Sequence, residues 1–145
     1  MNTPVFSQPV RVYWEDTDAG GVVYYANYLK FFERTRTEWL RSIGLNQQAL
    51  REETGGVFVV SEASVKYHRS ARLDDLLTVT ARLQQRGKAS VVFVQQAWRG
   101  DIEQGELLAE GSFRVGWVKE ASMQPARMPP QVLQALGAAQ VGSGA

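Results

Sequence analysis

Two hydrophobic periods divide this chain. Over residues 27–43, apolar side chains fall at Tyr28, Leu29, Phe32, Trp39, Leu40 and Ile43. That three-and-four spacing predicts a helix with one buried stripe. Gly44 stands just after the last periodic residue, where a C′ glycine belongs. Such a helix spans roughly 25 Å, about the width of a small domain. From residue 57 the period drops to two. Residues 57–67 place Val57, Val59, Ala63, Val65 and Tyr67 on one face, and residues 76–86 do the same with Leu77, Val79, Ala81 and Leu83. Residues 90–98 follow with Val92, Val94 and Trp98, and residues 107–119 with Leu107, Ala109, Phe113, Val115 and Trp117. Arg86-Gly87-Lys88 and residues 99–105 are turns short enough for hairpins.

The flanks carry weaker signals. Residues 1–8 read as an arm, and residues 9–15 as a strand in which Val10, Val12 and Trp14 alternate with Arg11 and Tyr13. Residues 46–53 predict a short helix, capped by Asn46 and ended by Gly55-Gly56. Pro129-Pro130 opens another short helix through Leu136, and residues 137–145 read as a loose tail. Four long alternating strands with only one long helix to cover them imply an α+β fold, a curved antiparallel sheet wrapped around that helix. At 145 residues the chain suits a single domain with a real core.

Composition narrows the function. The chain is 44% hydrophobic and 21% charged, which fits neither a disordered segment nor a membrane span. A net charge of +1 gives no electrostatic case for nucleic acid. Cysteine is absent, so disulfides and thiolate chemistry are excluded. The N-terminal stretch has neither the basic nor the apolar region of a secretory signal, and a soluble cytoplasmic protein is the expectation.

Asp16-Thr17-Asp18, between the first strand and the Gly20-Gly21 turn, is the main candidate for chemistry. As an acid pair after a strand it fits a magnesium site of the aspartate-nucleophile phosphatase kind, but that chemistry needs a parallel α/β sheet, which the alternating strands oppose. As turn acids the two need no function at all. As a carboxylate beside the unpaired amides at the start of a long helix, one acid can drive acyl-group hydrolysis while the amides hold the oxyanion. His68, the only histidine, reads as a packing or surface residue; Glu33 as a partner of Arg36 or Arg34; Asp74 and Asp75 as turn acids.

Residues 13–41, with EDTDAGGVVYYANYLKFFERTRTEWLR, strongly resemble the 4-hydroxybenzoyl-CoA thioesterase family of hotdog-fold enzymes, and within it the Tol–Pal-associated acyl-CoA thioesterase group. Residues 67–75, YHRSARLDD, and Arg86-Gly87 before a strand extend the likeness, which covers most of residues 9–120. The resemblance implies a hotdog fold and hydrolysis of acyl-CoA, or of an acyl carrier protein thioester, with no metal or redox cofactor. It assigns Asp18 as nucleophile or general base and the Tyr25 backbone N–H as oxyanion donor. The Tol–Pal group usually has histidine where Tyr25 stands, whereas 4-hydroxybenzoyl-CoA thioesterase itself has tyrosine; an amide donor serves with either side chain. It further implies that Arg86 and Lys88 meet the phosphates of coenzyme A, and that the chain works as a homodimer or homotetramer. Two other readings stay open on sequence: a non-catalytic acyl-CoA-binding hotdog protein, and a hotdog dehydratase or hydratase, whose histidine near the helix start is lacking here.

Overall fold

The computed structural model describes residues 5–144, with side chains up to 139. The elements are β1 (Phe6–Arg11), a 3-10 turn (Trp14–Asp16), α1 (Asn27–Ser42), α2 (Gln47–Thr54), β2 (Gly56–Tyr67), β3 (Leu76–Arg86), β4 (Ser90–Arg99), β5 (Glu106–Lys119), β6 (Gln124–Pro125) and α3 (Pro130–Gly144). The sheet is antiparallel in the order β1-β3-β4-β5-β2, with β6 pairing on β5. It curves around α1, the hotdog arrangement.

Helix α1 is held by its buried face. Tyr28, Phe31, Phe32, Trp39 and Leu40 are buried, with Phe32 against Phe113 and Trp39 against Phe93 at 5.3 Å between ring centroids in each pair. Such contacts add about 1 kcal/mol each beyond area burial. The stripe is rotated from the expected one: Phe31 belongs to it, and Leu29 is exposed. The helix ends as anticipated, because Gly44 (φ +89°) lets the Leu45 N–H reach back to the Leu40 carbonyl and its own N–H reach that of Arg41. Asn46 caps α2, its side chain accepting from the Ala49 N–H at 2.9 Å.

Four local expectations are corrected. The first strand starts at Phe6 and ends at Arg11, so residues 6–8 are strand rather than arm; residues 1–4 lie outside the described residues. Pro9 is tolerated because β1 is an edge strand. The strand stops short of residue 15 because the Asp16 carboxylate caps the Tyr13 N–H and turns the chain, leaving Trp14 on the surface at 77% exposure. In β2 a bulge between Val60 and Glu62 shifts the parity, so Phe58 and Val60, not Val57 and Val59, share the inner face with Ala63, Val65 and Tyr67. In β4 the helix-facing set is Val91, Phe93, Gln95 and Ala97; the buried glutamine disguises the alternation. Finally, residues 137–144 continue α3 instead of forming a tail. Met128, Val132 and Leu136 anchor that helix in the core, and Ala139 still packs against it. Ala145 lies outside the described residues.

Candidate active site

The motif after β1 folds on itself through backbone hydrogen bonds. Asp18 donates its N–H to the Val22 carbonyl at 2.9 Å and accepts the Gly21 N–H at 3.0 Å, closing a tight hairpin that Gly21 (φ +80°) makes possible. The hairpin is tied to its surroundings by bridges from Thr17 to Val23 and from Val22 to Arg72. Below it the Asp16 carbonyl accepts both the Tyr24 N–H (3.0 Å) and the Asn27 side-chain amide (2.8 Å). Asn27 is the first residue of α1, and it clamps the helix start to the acid motif.

The two aspartates have separate fates. Asp16 is buried, and its carboxylate accepts the Tyr13 N–H at 2.9 Å. It is a structural acid. Asp18 is exposed. Its Oδ1 accepts the Gly20 N–H at 2.9 Å, and among the described residues its Oδ2 accepts from none. One oxygen therefore fixes the rotamer while the other faces solvent. Among the described residues no three His, Cys, Asp or Glu side chains gather as a metal-binding group.

Tyr25 lies just before Ala26, the N-cap of α1. Among the described residues its backbone N–H donates to no acceptor. That is the condition an oxyanion donor must meet in the free protein. Its ring sits in an aromatic cluster, 4.8 Å from Tyr24 and 5.9 Å from Tyr67, while Tyr67 is 5.6 Å from Tyr28. Tyr28 anchors the cluster: it is buried, and its phenol oxygen accepts the Ala71 N–H at 3.0 Å. Burial raises the Tyr28 phenol above its ordinary pKa of 10.0.

The remaining candidates lie where the hairpins put them. Asp75 is a turn acid, accepting the Arg72 N–H at 2.9 Å and pairing with Arg99 at 2.9 Å. Arg99 also donates to the Ser70 carbonyl and to Glu106, each at 2.5 Å, so one guanidinium fastens the segment beneath the acid hairpin. Its hydrogen bond to Asp75 helps raise the Arg99 pKa. Asp74 sits at φ +72°, also a turn position. His68 makes a surface pair with Glu110 at 2.8 Å. Glu33 is partnered by the Thr37 hydroxyl at 2.7 Å, rather than by arginine.

Arg86 and Lys88 are not near Asp18 within one chain. The β3–β4 turn that carries them lies at the far end of β3, whose 11 residues run roughly 33 Å from the Arg72 end. The sheet therefore has two ends. Asp18, Tyr25, Tyr67 and the Arg72–Asp75 turn mark one; Gly56, Arg86, Lys88 and Ser90 mark the other.

One polar group was missed from sequence. Arg36 is 7% exposed, its Nη1 donating to Gln95 Oε1 at 2.9 Å and its guanidinium stacked 4.8 Å from the centroid of Phe113. Burial lowers its pKa to about 10, against a smaller opposing pull from Glu33. The signal was available: position 36 lies four residues after Phe32 and three before Trp39, on the apolar stripe.

The Thioesterase superfamily model matches residues 20–106. The acyl-CoA thioesterase YbgC of Haemophilus influenzae is 44% identical over 88% of this chain and 90% of its own. The chain belongs to the thioesterase superfamily. A solved Bartonella henselae protein described as a probable thioesterase superposes with a TM-score of 0.80 at 32% identity, covering 87% of this chain and 100% of its own. A Staphylococcus aureus hypothetical protein solved in complex with CoA shares the fold, with a TM-score of 0.87 at 17% identity over 99% of this chain and 88% of its own. The superfamily match includes Tyr25, Arg36, Arg86 and Lys88 and begins two residues after Asp18. Among the described residues, no helix of this thioesterase-superfamily protein is long and apolar enough to cross a membrane.

Proposed function

We propose that this thioesterase-superfamily protein hydrolyses acyl-CoA thioesters, with Asp18 as nucleophile or general base and the Tyr25 backbone N–H as oxyanion donor. The observation that carries the reading is one hairpin holding a carboxylate with one oxygen free among the described residues, followed seven residues later by an amide at the start of α1 that is likewise unpaired among them. The acyl-CoA thioesterase named among its relatives supports the choice of substrate. A thioester carbonyl is already electrophilic. As the tetrahedral oxyanion forms, the Tyr25 N–H stabilises it; as it collapses, the C–S bond breaks and the departing thiolate takes a proton from solvent. If Asp18 is the base, it takes the proton of the attacking water. If it is the nucleophile, it forms an anhydride that water then opens.

The protein acts as a dimer in this reading. β2 is an edge strand whose middle is exposed from Val60 to Ser64, an unpaired ladder of the kind that a second copy covers. Antiparallel pairing of β2 with its counterpart sets the Tyr67 end of one protomer beside the Gly56 end of its partner. Asp18 and Tyr25 of one protomer then lie toward the sheet end that carries the partner's Arg86 and Lys88, which receive the CoA phosphates. The same pairing resolves the separation of roughly 33 Å within one chain.

Two measurements test this. Thiol release is expected from several acyl-CoAs, and sedimentation at micromolar concentration is expected to give at least a dimer. Absence of thiol release with every acyl-CoA and acyl carrier protein thioester would overturn the hydrolase reading, and a fully active monomer would overturn the shared site.

A further inference from the structure

Between α1 and the inner face of the sheet, on the side of β2, lies a cavity of about 520 Å³. Phe58, Val60, Phe93 and Val115 give it apolar walls. Arg36 is set into those walls, and it is an unusual cation. It is 7% exposed, and among the described residues it makes no ion pair. Its only hydrogen bond there runs from Nη1 to Gln95 Oε1, and one face of the guanidinium is occupied by Phe113. Nε and Nη2 are left without acceptors, yet no buried side-chain nitrogen or oxygen of the described residues lacks a partner, so both nitrogens keep contact with open space. Those two atoms form the side-on edge of the guanidinium, whose two parallel N–H bonds match the two oxygens of a carboxylate.

Gln95 holds that edge in place. Its Nε2 donates to the Phe32 carbonyl at 3.0 Å and the Thr80 carbonyl at 3.2 Å, which leaves Oε1 pointing at Arg36. The guanidinium is thus fixed on both its plane and one nitrogen before any ligand arrives, the preorganisation that makes a charged contact discriminating. Glu33, also at the cavity, is exposed and engaged by the Thr37 hydroxyl, and it exerts a smaller opposing pull on Arg36 without pairing with it.

We propose that Arg36 selects acyl groups whose far end carries a carboxylate, so that the preferred substrates are thioesters of dicarboxylic acids. The inference rests on the hydrolase reading for the thioester end and on Arg36 for the other end. The apolar walls hold the methylene chain, and the Nε–Nη2 edge takes the terminal carboxylate.

The test uses pairs of non-hydrolysable CoA thioethers, ω-carboxyalkyl against methyl-terminated, at matched lengths corresponding to succinyl through dodecanedioyl. Binding is measured by calorimetry on the full chain. At the best length the carboxylated analogue is expected to bind at least ~10-fold more tightly, the low end for a hydrogen bond to a charged group. Arg36→Met is expected to erase that ratio. The wild-type comparison stands alone if the variant fails to fold. Equal binding at every length, binding of neither analogue, or a ratio that survives in folded Arg36→Met would overturn the assignment. Turnover is read separately with the matching thioesters: binding selectivity without thiol release would remove the hydrolase reading and leave Arg36 as a carboxylate receptor.

Discussion

Gln95→Leu is the most informative single change in the core. The side chain is 1% exposed and makes three hydrogen bonds: two donated from Nε2 to the Phe32 and Thr80 carbonyls, and one accepted from Arg36. Leucine keeps most of the volume, so the cavity contribution is small. The cost comes from polarity. Stranding a buried guanidinium without its acceptor is worth about 2 kcal/mol, and the two neutral bonds, less what leucine regains by burial, about 1 kcal/mol more. The sum is a loss of about 3 kcal/mol, a large fraction of a small domain's stability. Urea unfolding at fixed protein concentration measures it, since the stability of the proposed dimer would depend on concentration. Adding Arg36→Met removes the stranded cation, so the double variant is expected to be more stable than the sum of the two single changes by at least ~1 kcal/mol. A Gln95→Leu loss below ~0.5 kcal/mol, or strict additivity of the pair, would refute the network as described.

Three further outcomes follow from the site. Tyr28→Phe leaves the buried Ala71 N–H without its acceptor and is expected to cost ~1–2 kcal/mol in urea unfolding. The Tyr28 phenol is raised by burial, so the folded state keeps its proton longer than the unfolded one; its contribution is full below pH 10.0 and is lost as pH rises through the higher folded value. The wild type should therefore lose stability above that pH more steeply than Tyr28→Phe, and parallel curves would contradict the burial argument. Tyr25→Phe and Tyr25→His should keep most of the turnover, because the proposed donor is an amide; a fall approaching the ~10²-fold expected for loss of an oxyanion donor in folded protein would mean the phenol takes part. Arg86→Ala combined with Lys88→Ala should raise KM for acyl-CoA and flatten its salt dependence with kcat nearly unchanged; an unaltered KM and salt slope would make these two ordinary turn charges.

The fold was legible where pattern and burial agree. The helix over 27–43, the hairpin turns and the inner face of β3 follow from periodicity because apolar residues fill those positions. Pattern failed where a polar residue does an apolar residue's work. Gln95 points into the core because Phe32, Thr80 and Arg36 satisfy it, and that one polar letter inverted the reading of β4. Local hydrogen bonding defeated it elsewhere. The bulge after Val60 shifts parity without any glycine to mark it, and the Asp16 cap ends β1 inside a stretch that still alternates. The site divides the same way. Asp18 and Tyr25 lie close in sequence and were assigned through a motif. Arg36 and Gln95 are 59 positions apart and meet only through packing, so no local signal joins them.

The central claim is that Asp18 carries the reaction. Asp18→Asn preserves size and the acceptor for the Gly20 N–H at 2.9 Å, so the hairpin should survive. It removes the negative charge and the nucleophilic oxygen together. Thiol release from the best acyl-CoA is expected to fall by at least ~10²-fold in kcat, the lower end for loss of a general base. Asp16→Asn tests the contrast: its carboxylate caps the Tyr13 N–H, an amide oxygen can do the same, and turnover by the folded variant should fall far less. In single-turnover reactions with enzyme in excess in ¹⁸O-water, label entering the product at once fits Asp18 as the base, or an anhydride that water opens at the substrate's acyl carbon. Product that first carries an oxygen from Asp18 would mark it as the nucleophile. The decisive reading is simpler: folded Asp18→Asn with wild-type turnover would contradict the account, and a loss of ~10²-fold or more confined to position 18 is what it predicts.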